Sequence, residues 1–410
     1  MDTVDKNEPP ANGTGRWKAL LFLSFAVLFA MSLWFSATAV LPALSREWQL
    51  GDGGRAGLTI AVQFGYIIGT LLSALGNLPD LYSPRIIMAV SVALGAVVNA
   101  ALALWTESLY MALVLRAVTG LCMAGAYPPA MKIVATWFQK ERGLAMGIMI
   151  GALTVGLAMP HLIRGVADLP WRWTLLVASL LALVACGIVL ILVHEGPYRF
   201  PTARFNIHMA LENFRNRSLR LACFGYYGHM WELFGMWAWI GIFLGGSFQS
   251  HGSNLNTSLA TFIVITMGAV GSYLGGLASD RWGRTLATSV SLVLSGLCAI
   301  TIGFTFGGPP ILTFLVTCLW GLTVNADSAQ FSVAATELSE PAYVGTSLTV
   351  QTCIGFVLTM ISIWLIPMAI RELGWRWAFT ILAVGPVFGV VSMARLRTLP
   401  ESLKLAQGRR

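Results

Sequence analysis

Gly276-Leu277-Ala278-Ser279-Asp280-Arg281-Trp282-Gly283-Arg284 is a short polar break between two apolar runs, near 257–279 and 285–306. Each run has roughly the 20 residues an α-helix needs to cross a hydrocarbon core. In such a break, glycine permits close helix approach, an aspartate can face a helix N-terminus or an arginine, and arginines hold the loop on the untranslocated side. About 200 residues earlier, Gly76, Asp80 and Arg85 stand in the same place, between runs near 55–77 and 85–105. Two matching loops in an apolar chain predict spanning helices built on a duplicated unit.

Eight more apolar runs lie near 17–44, 109–134, 143–165, 172–193, 219–246, 311–335, 344–366 and 375–394, making twelve expected spans. The chain is 56% hydrophobic and 11% charged, with a mean hydropathy of +0.73, a mixture from which no soluble surface can be made. The polar residues 1–16 before the first run carry no cleavage-site pattern, so the first helix is expected to stay in place.

With the N-terminus inside, nineteen Lys and Arg fall on one side, six on the other, and Arg116 within the membrane. Positive residues concentrate in loops that are not translocated, so both termini are expected in the cytoplasm. The net charge of +8 is scattered over these loops instead of forming one stripe, which argues against nucleic acid as a partner. All six cysteines fall in apolar runs without a Cys-x-x-Cys pair and read as small core residues, while Trp17, Trp48, Trp105, Trp137, Trp171, Trp173, Trp282, Trp375 and Trp377 sit at helix ends as interfacial anchors.

The longest break, 194–218, holds Pro197, Pro201 and four arginines and reads as a cytoplasmic linker. It separates an N-terminal bundle, 17–193, from a C-terminal bundle, 219–395, with cytoplasmic tails at 1–16 and 396–410. Across it Ala135-Thr136 answers Ala335-Thr336, and Trp171-Arg172-Trp173 answers Trp375-Arg376-Trp377. The rows Gly65-x-x-x-Gly69-x-x-x-Ser73 and Gly271-x-x-x-Gly275-x-x-x-Ser279 read as close helix packing.

The loop at 276–284 resembles the Gly-x-x-x-Asp-Arg-x-Gly-Arg signature of the major facilitator superfamily. Asp280, Arg281, Gly283 and Arg284 match it; the first copy keeps Asp80 and Arg85 but shows Leu81, Ser83 and Pro84 where Arg, Gly and Arg are usual. Arg116-x-x-x-Gly120-x-x-x-Ala124 and Trp137-Phe138-x-x-Glu141-Arg142-Gly143 are also similar to that family's fourth helix and the start of its fifth. The fifth run, with Gly147, Gly151, Gly156 and Pro160, lacks the Gly-Pro-x-x-Gly-Gly run of many drug antiporters. The resemblance covers roughly 17–395 and implies two six-helix bundles around a central cavity lined by helices one, four, seven and ten.

An ionisable group in a spanning helix costs about 2.5 to 3.5 kcal/mol or more, so each is a candidate site. The deep charges are Arg116, Glu232 and Asp327, which the resemblance places along the cavity. His229, Glu232, Met236 and Trp239 share one face of the seventh helix, and a carboxyl there whose access to water alternates can load and release a proton. On the tenth helix Trp320, Thr323, Asp327 and Gln330 form a second polar face beside Asn325; Asp327 is a second proton site or a partner of Arg116, and Arg116 alternatively binds backbone carbonyls. Gln63, Tyr66, Trp34 and Gln351 are further polar or aromatic candidates, and His161 and Arg164, near the outer end of the fifth helix, are expected to belong to a gate or an interface.

No phosphate-binding loop, Gly-x-Ser-x-Gly turn or His-Glu-x-x-His site occurs, and neither a cofactor nor a metal is expected. The chain is expected to be a monomeric secondary transporter of a bacterial cytoplasmic (inner) membrane. It would be proton-coupled and would carry a small, planar or amphipathic organic solute. Uptake symport is the first reading, efflux antiport the alternative, and a non-transporting receptor or assembly partner the rival from another class.

Overall fold

In a computed structural model the described residues are 13–138, 142–167, 170–198, 211–340 and 343–410; they form helices and their connections, with no strand among them. Side chains are described for these apart from 13, 14, 79, 80, 142 and 143. Residues 1–12, Lys140, Glu141, Arg199, Arg204 and the side chains of Asp80 and Arg142 lie outside the described part.

Ten segments are long and apolar enough to cross a membrane: Asp52–Leu75, Pro84–Trp105, Leu109–Trp137, Leu144–Val166, Trp171–Leu192, Thr257–Trp282, Arg284–Thr305, Pro310–Leu338, Val344–Leu373 and Trp375–Arg397. They stand at the second to sixth and eighth to twelfth of the expected spans. The seventh, Arg217–Ser250, is a single helix of 34 residues, about 50 Å at 1.5 Å per residue. Its glycines, aromatic rings, His229 and Glu232 dilute its hydropathy, yet most of it is buried.

The first span is not continuous. Gly13–Met31 ends in a turn at 32–35, and the chain resumes as Ser36–Ala39 and Leu41–Glu47. Ser32 and Ser36 each donate a hydroxyl to the carbonyl three residues back, Phe29 at 2.7 Å and Leu33 at 2.9 Å. Such local bonding competes with the helix ladder and bends it.

The fourth and tenth spans, read in the sequence as continuous, are also interrupted, and at equivalent points. Leu109–Met123 gives way to Tyr127–Trp137, where Pro128 and Pro129 open the second segment with no amide hydrogen to donate. Pro310–Val324 gives way to Ser328–Leu338 at Asn325 and Asp327, whose short polar side chains favour breaks over helix interiors.

The first span packs on the fifth and sixth, the second on the fourth, and the third on the fourth and sixth; the seventh packs on the eleventh and twelfth, the eighth on the tenth, and the ninth on the twelfth. Two large contacts cross between these groups, fifth with eighth and second with eleventh. Glycine makes the tightest approaches possible: a Cβ on Gly65 would stand 1.8 Å from the Ala117 carbonyl, and one on Gly271 1.9 Å from that of Leu322. The second and fourth spans thus meet as the eighth and tenth do, backbone against backbone.

At the ends of the eighth and second spans, the two matching loops bind different partners. Gly283, at φ +90°, caps the eighth helix. Arg284 pairs with both oxygens of Glu337 at 2.7 Å and reaches Gln330 Oε1 at 2.8 Å and Ser279 at 3.2 Å. Arg409 donates to the Asp280 carbonyl, and Thr285 donates to that of Arg410, so the segment 400–410 lies along this loop. Arg85 instead donates to the Val189 and Leu190 carbonyls at the end of the sixth helix, where a cation meets the negative end of the dipole.

Candidate functional site

Three polar centres occupy the interior. In the first, Arg116 from the fourth span is completely buried among oxygen acceptors. It donates to the Leu33 carbonyl at 3.0 Å, to that of Trp34, to Leu58 at 3.4 Å and to Ser36 Oγ at 3.2 Å. The turn at 32–35 leaves helix carbonyls without intrahelical donors, and the guanidinium supplies them. Ser36 also bonds Asn99 at 2.7 Å, and Asn99 continues to Ser179 and the Leu175 carbonyl, each at 3.0 Å. Arg116 and Asp327 are not brought together, since each has its partners within its own group of helices.

In the second, Glu232 is 1% exposed and points at the ninth and tenth spans. Trp320 Nε1 donates to Oε1 at 2.8 Å, and Ser295 Oγ lies 2.7 Å from Oε2. The Trp320 ring stands edge-on to Phe379 of the twelfth span at 5.1 Å. No cation touches the carboxylate among the described residues. Ser295 also lies 3.2 Å from the Leu292 carbonyl, although its hydroxyl has one hydrogen to give.

In the third, His229 Nδ1 approaches Asp327 Oδ1 at 2.9 Å, both side chains being 1% exposed. The contact lacks the alignment of a full hydrogen bond, and among the described residues Asp327 Oδ2 and His229 Nε2 have no hydrogen-bond partner. Phe331 and Tyr226 flank the imidazole. Two residues before Asp327, the Asn325 amide lies 3.0 Å from Thr154 Oγ1 of the fifth span and 3.0 Å from Ser272 Oγ. The break in the tenth span therefore carries both the acid and a hydrogen bond to the other group of helices.

The remaining candidates are spread out. Gln330 belongs to the Arg284 loop. Trp239, on the face of Glu232, donates to the Ile363 carbonyl of the eleventh span at 3.1 Å. Trp34, Gln63 and Tyr66 meet the eleventh span instead: the Tyr66 and Phe356 rings are 4.8 Å apart, those of Trp34 and Phe356 5.6 Å, and Thr359 bonds Gln63 Oε1. Ser295, Asn99, Thr154 and Thr359 were not singled out by sequence reasoning. A lone hydroxyl or amide in an apolar run carries no signal separating a site residue from a packing residue. A serine on the ninth helix facing a deep acid shows only in three dimensions.

Helices grouped around separate polar centres, joined by two interfaces and by side-chain bonds such as Asn325 to Thr154, define a polytopic membrane carrier. Residues 23–268 match the sequence model of the Major Facilitator Superfamily, and the chain belongs to that family. It is 24% identical over 388 residues to the agnestins efflux protein of Paecilomyces divaricatus, covering 87% of this chain and 85% of that one. It is 28% identical over 146 residues to an uncharacterized MFS-type transporter of Bacillus subtilis (strain 168), covering 36% and 34%. A solved bacterial homolog of the human lysosomal transporter Spinster, inward-facing and unoccupied, superposes with a TM-score of 0.65 at 17% identity, covering 97% of this chain and 98% of that one. The protein is a multi-pass membrane secondary transporter, not an enzyme.

Proposed function

We propose that the protein carries a small organic solute across a bacterial inner membrane by proton-coupled alternating access, as a monomer with both termini cytoplasmic. The residues 17–193 and 219–395 would move as two units about the interfaces of the fifth with the eighth and the second with the eleventh span. The observation that carries the coupling is the surroundings of Glu232. With Glu232 ionised, Ser295 gives its single hydrogen to Oε2; with Glu232 protonated, Oε2–H donates to Ser295 Oγ, and the serine hydrogen turns to the Leu292 carbonyl at 3.2 Å. Trp320 donates to Oε1 in either case. Both protonation states are fully bonded, which a buried site must offer if it is to load and unload.

The His229–Asp327 pair is the second proton-bearing element in this reading. It lies in the same break as Asn325, so a change of charge there would act on the bond to Thr154. Uptake by symport is favoured by a fifth span without the Gly-Pro-x-x-Gly-Gly run. Efflux by antiport is the second reading, supported by the relative named as an efflux protein. A solute found by thermal-shift screening and added to proteoliposomes without an imposed gradient is expected to shift a pH dye entrapped in the lumen, toward acid for symport and toward alkaline for antiport. Solute flux with no pH change would refute coupling.

A further inference from the structure

Among the described residues, the seam where the first and second spans meet the seventh and eleventh is built of aromatic rings and holds no ion pair. Trp34 lies 5.0 Å from Tyr66 and 6.0 Å from Phe234; Phe234 lies 5.2 Å from Phe356 and 5.4 Å from Trp237. One side chain bond crosses this aromatic layer, from Thr359 to Gln63 Oε1. Among the described residues, three donors in the layer have no acceptor: Trp34 Nε1, Gln63 Nε2 and Trp237 Nε1. Their residues are 4%, 0% and 2% exposed. An unpaired buried donor costs about 1–3 kcal/mol, so three around one cluster mark a place where something with acceptors belongs. Gln63 Oε1 already accepts from Thr359, so the three unpartnered groups named here are all donors.

Formal charge faces away from it. Arg116 is engaged by the carbonyls behind Trp34, Glu232 is turned toward the ninth and tenth spans, and His229 and Asp327 face each other. An ionic solute in the seam would have no counter-charge. A flat conjugated one could replace ring–ring contacts with its own faces, since aromatic pairs tolerate offset and edge geometries.

We propose that the aromatic seam is the solute site, and that the solute is a flat, uncharged, conjugated molecule bearing oxygen acceptors such as carbonyl or ether groups, received when the two groups of helices part. This rests on the transporter reading and names its substrate class. Thermal stability of the purified protein is measured with three probes: uncharged 7-methoxycoumarin, the planar cation ethidium and the planar anion 2-naphthoate. Only 7-methoxycoumarin is expected to raise the melting temperature. Trp34→Phe and Trp237→Phe keep a ring and remove one donor each; in either variant that folds, the affinity is expected to fall about 3- to 10-fold, the worth of one hydrogen bond.

Stabilisation by a charged probe, by none of the three, or by 7-methoxycoumarin with unchanged affinity in both variants would overturn the assignment. Binding at the seam without flux in proteoliposomes would refute the transport reading and leave the seam standing. Proton-driven flux with wild-type concentration dependence in Trp34→Phe would do the reverse.

Discussion

The two groups of helices each bury a polar centre, and the two centres hold opposite charge. In the first, spans one, two, three, four and six surround Arg116 with the carbonyls of Leu33, Trp34 and Leu58, Ser36 and, beyond it, Asn99 and Ser179. In the second, spans seven, nine, ten and twelve surround Glu232 with Ser295, Trp320 and the ring of Phe379. A guanidinium stays charged in proteins and offers donors only, so the first centre has one state. A carboxyl beside a hydroxyl that can reverse its hydrogen bond has two. In the proposed reading, one group of helices holds a fixed brace for a broken helix and the other a centre able to change.

The largest effect that would break this comparison comes from the brace. Arg116→Met leaves the carbonyls of the 32–35 turn and Ser36 buried without their donor, and is expected to destabilise the protein by about 3–5 kcal/mol. It is read as lost folded yield or a lower melting temperature. Arg116→Lys should recover only part, because three ammonium hydrogens cannot reproduce the fork that spans Leu33, Trp34 and Leu58. A stable, fully active Arg116→Met protein would remove the distinction.

The shared scaffold gives a middle-sized effect. Gly65→Ala and Gly271→Ala each force a methyl into a facing carbonyl at 1.8 and 1.9 Å and should cost similar amounts, about 2–3 kcal/mol. A large cost in one half and none in the other would show that the two helix pairs are not equivalent.

Smaller still is Trp320→Phe, which keeps a ring against Phe379 but removes the donor to Glu232. A loss of about 1.5–3 kcal/mol is expected, the worth of a hydrogen bond to a charged group, and less at pH values where the carboxyl is protonated. An unchanged melting temperature across pH would contradict the assigned contact. Smallest is Arg284→Gln in the loop, where the pair with Glu337 is partly exposed; about 1 kcal/mol or less is expected in chemical unfolding.

Much of the fold was legible because crossing a bilayer demands long apolar helices, and because the loop after the eighth span repeats that after the second. The family followed from the same loop. The depth of Arg116, Glu232 and Asp327 was legible too, since charges are rare in such runs. Their direction was not. Hydropathy places a residue along a helix, but Gln330, one turn after Asp327, binds Arg284 of the loop after the eighth span instead of sharing that acid's surroundings. The break itself was hidden, as Asn325-Ala326-Asp327 reads equally as a polar stripe. Arg116 was weighed as a partner for an acid or for carbonyls; only the turn at 32–35, absent from an apolar run read as continuous, shows which oxygens surround it.

Glu232→Gln in proteoliposomes tests the two-state centre most directly. The amide preserves shape and an acceptor for Trp320 while removing the titrating proton. Solute counterflow, which needs no proton gradient, is expected to persist, and accumulation driven by an imposed pH gradient is expected to disappear. Full pH-driven accumulation by the Glu232→Gln protein would contradict the account.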